Sequence, residues 1–358
     1  MKKDYRLLAI NPGSTSTKIA VFDNEEPVFI EVLRHPLEEI KKYDKIVDQL
    51  NFRQDIILKT LKERSIEPET LDAIVGRGGN MKPVKGGTYR VNEAMVADLK
   101  VGVMGQHASN LGGIIAFEIG NTFKRPSFVV DPVVVDEFED LARISGIPDI
   151  IRKSKDHPLN QKAAARQAAS ELGGEYNQFN FLVAHLGGGI SVGVHKKGKI
   201  IDVNNALDGD GPFSPERAGG VPVGSLIDMC FSGEYTKEEM RKKIVGGGGL
   251  VAYLGTNDGR EIGKRIREGD RNAELIYQAM AYQVSKEIGA GATVLKGDVD
   301  GIILTGGLAY DELFMGWIKE RVGFIANVMV YPGEFEMIAM TQGVLRVFYS
   351  NEELQTYI

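Results

Sequence analysis

Short apolar runs separated by glycine-rich turns occur twice along this chain, in the same order. Leu7–Ile10, Lys18–Phe22 and Val28–Val32 predict three strands joined by turns at Asn11–Ser16 and Asp23–Glu26. Phe181–Ala184, Ser191–His195 and Ile200–Val203 predict three more, with turns at Leu186–Gly189 and Lys196–Gly198. His185 stands 174 positions after Asn11, close to half of the 358-residue chain. A strand-turn-strand-turn-strand unit repeated at that spacing predicts a duplicated domain with a cleft between the copies.

Elsewhere the apolar spacing predicts helices over 46–64, 108–123, 160–172, 226–231, 237–244, 273–295, 312–322 and 336–350. Strand candidates lie at 73–75, 128–130, 301–304 and 327–330. This alternation reads as α/β. The charged, proline-bearing stretch Ile147–Pro158 predicts a boundary near Lys153–His157. The expected domains are 1–153, to which a C-terminal helix within 336–358 returns, and 154–335.

Composition narrows the picture. With 43 Lys+Arg against 49 Asp+Glu the formal charge is −6, which argues against a protein that coats nucleic acid. Cys230 is the only cysteine, so a disulfide framework or a cysteine-based zinc site within one chain is excluded. It is expected to be buried filler in a reducing compartment. Every apolar run falls short of the ~18 residues a membrane span needs, so no membrane partner and a cytoplasmic location are expected. The 43 glycines cluster beside strand-like runs, where a backbone can approach a ligand.

Three glycine-bearing turns carry candidate chemistry. Asn11-Pro-Gly-Ser-Thr-Ser-Thr-Lys18 brings hydroxyls, amides and an ammonium to one turn, where a polyanion could be cradled, although such a tip can also be merely solvated. His185-Leu-Gly-Gly-Gly-Ile-Ser191 exposes successive N–H groups without side-chain obstruction. Leu304-Thr-Gly-Gly-Leu308 precedes a helical pattern, where peptide dipoles would favour an anion. Asp208–Arg217 adds carboxylates and a guanidinium, and Gly246–Gly249 reads as a connector or a helix-terminus approach. The P-loop, the strict G-x-G-x-x-G and H-E-x-x-H patterns are absent, which removes P-loop NTPases and lowers the odds of dinucleotide dehydrogenases, protein kinases and zinc hydrolases. His107 and His157 read by themselves as hydrogen-bonded structural residues.

Taken in order, Leu8–Lys18, Gly76-Arg-Gly-Gly79, Val130-Asp-Pro132, His157-Pro-Leu-Asn-Gln-Lys162, His185–Gly189 and Thr305-Gly-Gly307 resemble the acetokinase branch of the acetate and sugar kinase, heat-shock chaperone and actin superfamily, over almost the whole chain. The resemblance implies a duplicated ribonuclease H-like (actin-like ATPase) fold, two domains flanking a nucleotide cleft, ATP/ADP with Mg²⁺, a small carboxylate substrate and a homo-oligomer. Phe213–Arg217 and Tyr331–Met337 look like the kinases of longer acids, so butyrate is the expected acceptor, with propionate, branched acids and acetate as alternatives. An actin- or chaperone-like ATPase module is the rival of another class, and a sugar kinase the nearer enzymatic one.

The same resemblance implies Asn11, Arg77, Asp131 and His157 as catalytic groups. Arg217 is expected to supply the charge of the family's second arginine, whose register here holds Pro222. Ser14, Ser16 and Lys18 form the first phosphate loop, His185 with Gly187, Gly188 and Gly189 the second, and Thr305, Gly306, Gly307 and Leu308 the nucleotide loop. Asp131 and Glu336 are the implied metal residues, with Glu334 competing for the latter place. Gly79 stands where acetate-specific relatives carry valine, so it and Pro215 are expected to leave room for a longer acid. Hinges are expected near 153–157 and 331–334.

Overall fold

The computed structural model describes residues 4–358. Packing divides the chain into two units, one made of the residues up to 136 together with 335–358, the other of 137–334.

In the first unit β1 (Arg6–Pro12), β2 (Ser16–Asp23), β3 (Glu26–Arg34), β4 (Ala73–Arg77), β5 (Thr88–Arg90) and β6 (Ser127–Val130) form one sheet ordered β3-β2-β1-β4-β6-β5. β1 pairs antiparallel with β2 and parallel with β4, and β4 pairs parallel with β6. Leu7–Ile10 are wholly buried, as a central strand covered on both faces requires. On one face Leu8, Ile10, Ile19 and Val21 meet Ile57 and Leu61 of helix Leu50–Glu63, and Leu111, Ile115 and Ile119 of helix Asn110–Phe123. That second helix lies so close to β4 that a Cβ on Gly76 would overlap the backbone of Gly112. Helix Glu336–Phe348 packs against β1 and β6.

The second unit repeats this plan. β7 (Asn180–Leu186), β8 (Ile190–Lys196), β9 (Lys199–Val203), β10 (Gly301–Gly306) and β11 (Val328–Pro332) are ordered β11-β10-β7-β8-β9. β7–β8 and β8–β9 are antiparallel, β7–β10 and β10–β11 parallel, which is the pairing of β1–β2, β2–β3, β1–β4 and β4–β6. The duplication expected from the spacing is thus present in strand order and direction. Helices Arg271–Val294 and Glu312–Val322 bury Tyr277, Ile288, Phe314 and Ile318 against Leu182, Val192, Ile302 and Leu304.

Residues 137–153, placed by the sequence pattern with the first domain, pack in the second unit. Glu139 N–H donates to Ile201 O, Phe138 and Ala142 form a small core with Ile200 and Val203, and the buried Lys162–Glu137 ion pair spans 2.8 Å. The last helix ends at Phe348, and Gln355 bridges to Tyr89 beyond it. Strand β5 and the helices Glu93–Val101 and Gly259–Arg267 have no counterpart among the predicted elements. Cys230, expected in a core, is exposed, because helix Val223–Phe231 has no buried residue. Among the described residues no helix is long and apolar enough to cross a membrane.

Candidate active site

Both units place their polar clusters at the C-terminal ends of parallel strands, where α/β sheets bind ligands. In the first unit Asn11 is near the end of β1, Arg77 ends β4, and Asp131 directly follows β6. Arg77 Nη1 donates to Glu336 Oε1 and Asn11 Nδ2 donates to Glu336 Oε2, so one carboxylate from the first turn of the last helix gathers both. Arg77 is only 8% exposed and its Nε has no hydrogen-bond partner. A buried guanidinium with a donor to spare is prepared for an anion. Burial and the field of Arg77 hold His107 below its ordinary pKa, so it stands beside Arg77 as a neutral ring.

The β1–β2 turn carries the hydroxyls singled out in the sequence, and Asn11 pairs across it with Lys18, which puts the amide and the ammonium on one face. Ser14 is exposed and Ser16 half-buried at its tip. What holds the turn was not visible in the sequence. Arg53, buried in helix Leu50–Glu63, donates to Gly13 O at 2.8 Å, Ser16 O at 2.9 Å and Ser14 O at 3.0 Å, and Gln49 Oε1 anchors its other side. Burial lowers its pKa to about 10, so it remains a cation at neutral pH. With those carbonyls, and the buried Thr17 hydroxyl, taken up from behind, the hydroxyls of Ser14 and Ser16 are left for a ligand.

In the second unit His185 on β7 is paired in register with Thr305 on β10. Asn160 Nδ2 donates to His185 Nδ1 at 2.8 Å and to Thr305 Oγ1 at 3.2 Å. His157, at the N-cap of helix Pro158–Glu171, stacks on His185 with ring centroids 4.1 Å apart and meets Ser191 Oγ through Nδ1 at 2.9 Å. Gly187, Gly188, Gly307 and Leu308 line a cleft of about 1120 Å³ together with Pro215, Glu216, Asn257, Asp258, Arg260 and Asp311. This is ample for a nucleotide. Gly306 has φ +96° and a Cβ there would strike the Leu186 backbone, so glycine is required by both conformation and space. A four-residue 3₁₀ turn, Gly307–Tyr310, stands between this loop and the expected helix, which begins at Glu312, so the loop is not that helix's own N-terminus and the macrodipole argument for it fails.

Several expected roles change with this geometry. A Cβ on Gly79 would overlap the Asn110 backbone and Oδ1, so this glycine serves close packing and opens no room for methylenes. Pro215, expected against the acid, lines the glycine-loop cleft of the second unit. Gly189 faces Arg217, whose guanidinium fills the place of its missing side chain and donates to Ala206 O, while burial lowers the Arg217 pKa. Glu334 lines the same cleft as Pro215, whereas Glu336 joins Asn11 and Arg77, which separates the two competing glutamates. A metal ion carried on nucleotide phosphates needs only one or two protein carboxylates. Glu336, its side chain 21% exposed, fits that need. Asp131 does not: it is buried, its Oδ1 accepts from Gly87 N–H at 2.8 Å, and its backbone sits at φ +36°, so it braces the loop before β5 beside Arg77.

Comparison with known proteins points to one family. A profile described as the acetokinase family matches residues 148–315. Two proteins named "Probable butyrate kinase", from Clostridium botulinum strains Eklund 17B and Alaska E43, are 57% and 58% identical to the chain over 99% of both lengths. The crystal structure of Porphyromonas gingivalis acetate kinase superposes with a TM-score of 0.78 at 18% identity, covering 96% of this chain and all of that one. That likeness shows the duplicated ribonuclease H-like, actin-like fold.

Proposed function

The chain belongs to the acetokinase family, and we propose that it is a butyrate kinase, transferring the γ-phosphoryl group of ATP to butyrate to give butanoyl phosphate and ADP, reversibly. The observation that carries the reading is Arg77, a buried guanidinium with one unpartnered donor beside Asn11 and Glu336. Propionate, branched-chain acids and acetate are the alternative acceptors.

A carboxylic acid with a pKa near ~4 is already ionised at neutral pH, so its attack on phosphorus needs no general base. The obstacle is charge: two unit charges 4 Å apart repel by about 4 kcal/mol at an effective dielectric of 20. Arg77 lowers that barrier by neutralising the acid and the transferring group, and Arg217 adds a second cation. Asn11 and His157 donate hydrogen bonds to phosphoryl oxygens. Ser14, Ser16, Lys18 and His185 with Gly187–Gly189 hold the phosphates, and Thr305–Leu308 hold the nucleotide. Mg²⁺ supplies charge neutralisation on the nucleotide phosphates, with Glu336 as the residue that would hold it. A homodimer, or a multiple of one, belongs to the proposal and is read by sedimentation velocity.

Hydroxylamine trapping of acyl phosphate across a C2 to C5 acid series tests the activity. Acyl hydroxamate with a maximum at C4 is the expected result. ATP hydrolysis without any hydroxamate would favour the ATPase-module reading instead.

A further inference from the structure

The loop that follows Arg77 is gripped by a segment far from it in sequence. Strand β4 ends at Arg77, and the chain does not re-enter the sheet until β5 begins at Thr88. The middle and the exit of that loop both meet the residues after the last helix. Lys82 N–H donates to the Tyr357 hydroxyl at 3.0 Å, and that hydroxyl donates in turn to Asp98 Oδ2 at 2.7 Å. Gln355 N–H donates to Thr88 O at 2.8 Å, beside the edge strand β5.

A second set of contacts fixes Tyr357 itself. It is 3% exposed, while every other residue from 350 to 358 is exposed or half-buried. Its ring belongs to the core that holds Met81, Met95 and Leu99, and Asn92 Nδ2 donates to its carbonyl at 2.8 Å. Burial and the neighbouring Asp98 push its phenol up to about 12, so the hydroxyl keeps the proton it donates. Lys82 Nζ, 3.2 Å from Asp98 Oδ2, closes the circuit. The same segment is tied to the helix that reaches Arg77. Glu336 in the first turn of Glu336–Phe348 accepts from Arg77, and Arg346 in its last turn pairs with Glu352 at 2.6 Å.

We propose that Tyr357 is a positioning residue for Arg77, its hydroxyl clamping the loop between Arg77 and β5 so that the guanidinium stays aimed at the acid. The inference rests on the kinase reading for what Arg77 touches, but the clamp is measurable without turnover. Tyr357→Phe keeps the ring in the core and removes both hydrogen bonds of the hydroxyl. Amide hydrogen exchange of the full chain over residues 78–88 is then expected to speed up about tenfold, the shift in local opening that losing one or two such bonds brings. KM for the acid is expected to rise about tenfold, with the ATP dissociation constant within about a factor of two.

Asn92→Asp keeps the cap of helix Glu93–Val101 but loses the donor to the Tyr357 carbonyl, and is expected to move exchange and KM in the same directions. Val96→Ala thins the same core while leaving those bonds in place, and is expected to lower the denaturation midpoint without moving KM for the acid. Unchanged exchange over 78–88 in both Tyr357→Phe and Asn92→Asp overturns the proposal. So does faster exchange with an unchanged KM for the acid, an equal loss of ATP affinity, or a KM in Val96→Ala that rises as far as in Tyr357→Phe. If exchange responds as expected and the wild type phosphorylates no acid, the kinase reading fails while the clamp on the loop stands.

Discussion

At the scale of single residues, the proposed function rests most on the guanidinium of Arg77. Arg77→Ala is expected to lower turnover more than about a hundredfold in the hydroxamate assay, the cost of one preorganised transition-state donor. Arg77→Lys should recover little, because an ammonium cannot reach Glu336 and an anion in the same plane. Gly79 shows how a residue visible in the sequence can mislead. A missing isopropyl group looks like space for a longer acid, but the space is occupied by the backbone of Asn110. Gly79→Val is therefore expected to destabilise the fold by about 1–3 kcal/mol or more, the usual cost of overpacking, with no change in the acid preference of what remains active. Denaturant titration and relative kcat/KM for acetate and butyrate read the two parts separately.

At the scale of elements, the β1–β2 turn was legible because hydroxyls, glycine and lysine between two apolar strands announce it, whereas its support was not. Arg53 lies in a stretch that reads as an ordinary polar-faced helix, and only the fold brings it under Gly13, Ser14 and Ser16. Arg53→Met leaves those carbonyls short of a donor, at roughly 1–3 kcal/mol for each buried group left unpaired. The variant should lose stability and raise KM for ATP more than KM for the acid. A titrating group just after β3 packs against the same turn. His35 meets Thr17 Oγ1 at 2.8 Å, and burial together with the charge of Arg53 lowers its pKa to about 4. The unfolded chain takes up that proton near the ordinary ~6.5, so the unfolded state binds more protons in between. Stability due to His35 is thus full above about pH 6.5, declines as the pH falls, and levels off below about 4. Denaturation midpoints across that window should fall more steeply for the wild type than for His35→Gln.

At the scale of the whole molecule, the repeat could be read because strand alternation is a local signal, and each predicted strand has its counterpart within a few residues. Helix Gly259–Arg267 was missed for a physical reason: it begins on a glycine and carries Gly263 inside, and its apolar stripe is only Ile262 and Ile266, one turn apart among charged residues. Yet it lines the cleft shared by Gly187, Gly188, Gly307 and Leu308, all within the second unit, while Arg77, Asn11 and Glu336 belong to the first. Nucleotide affinity and acyl transfer should therefore be separable by mutation. Gly188 is the useful position, because a Cβ there would meet only Glu216 Oε2 at an ordinary 3.5 Å while its residue lines the cleft. Gly188→Val is expected to fold normally and to weaken ATP binding about tenfold or more, by filling space that a phosphate needs, a loss of roughly 1.4 kcal/mol or more. Arg77→Ala should leave the ATP dissociation constant within about a factor of two, under 0.5 kcal/mol, while abolishing most acyl transfer. Calorimetric titration of both variants with ATP and Mg²⁺ decides it. Equal losses of nucleotide affinity in the two would mean that Arg77 is spent on ATP rather than on the acid, and its assignment to the acid would have to be given up.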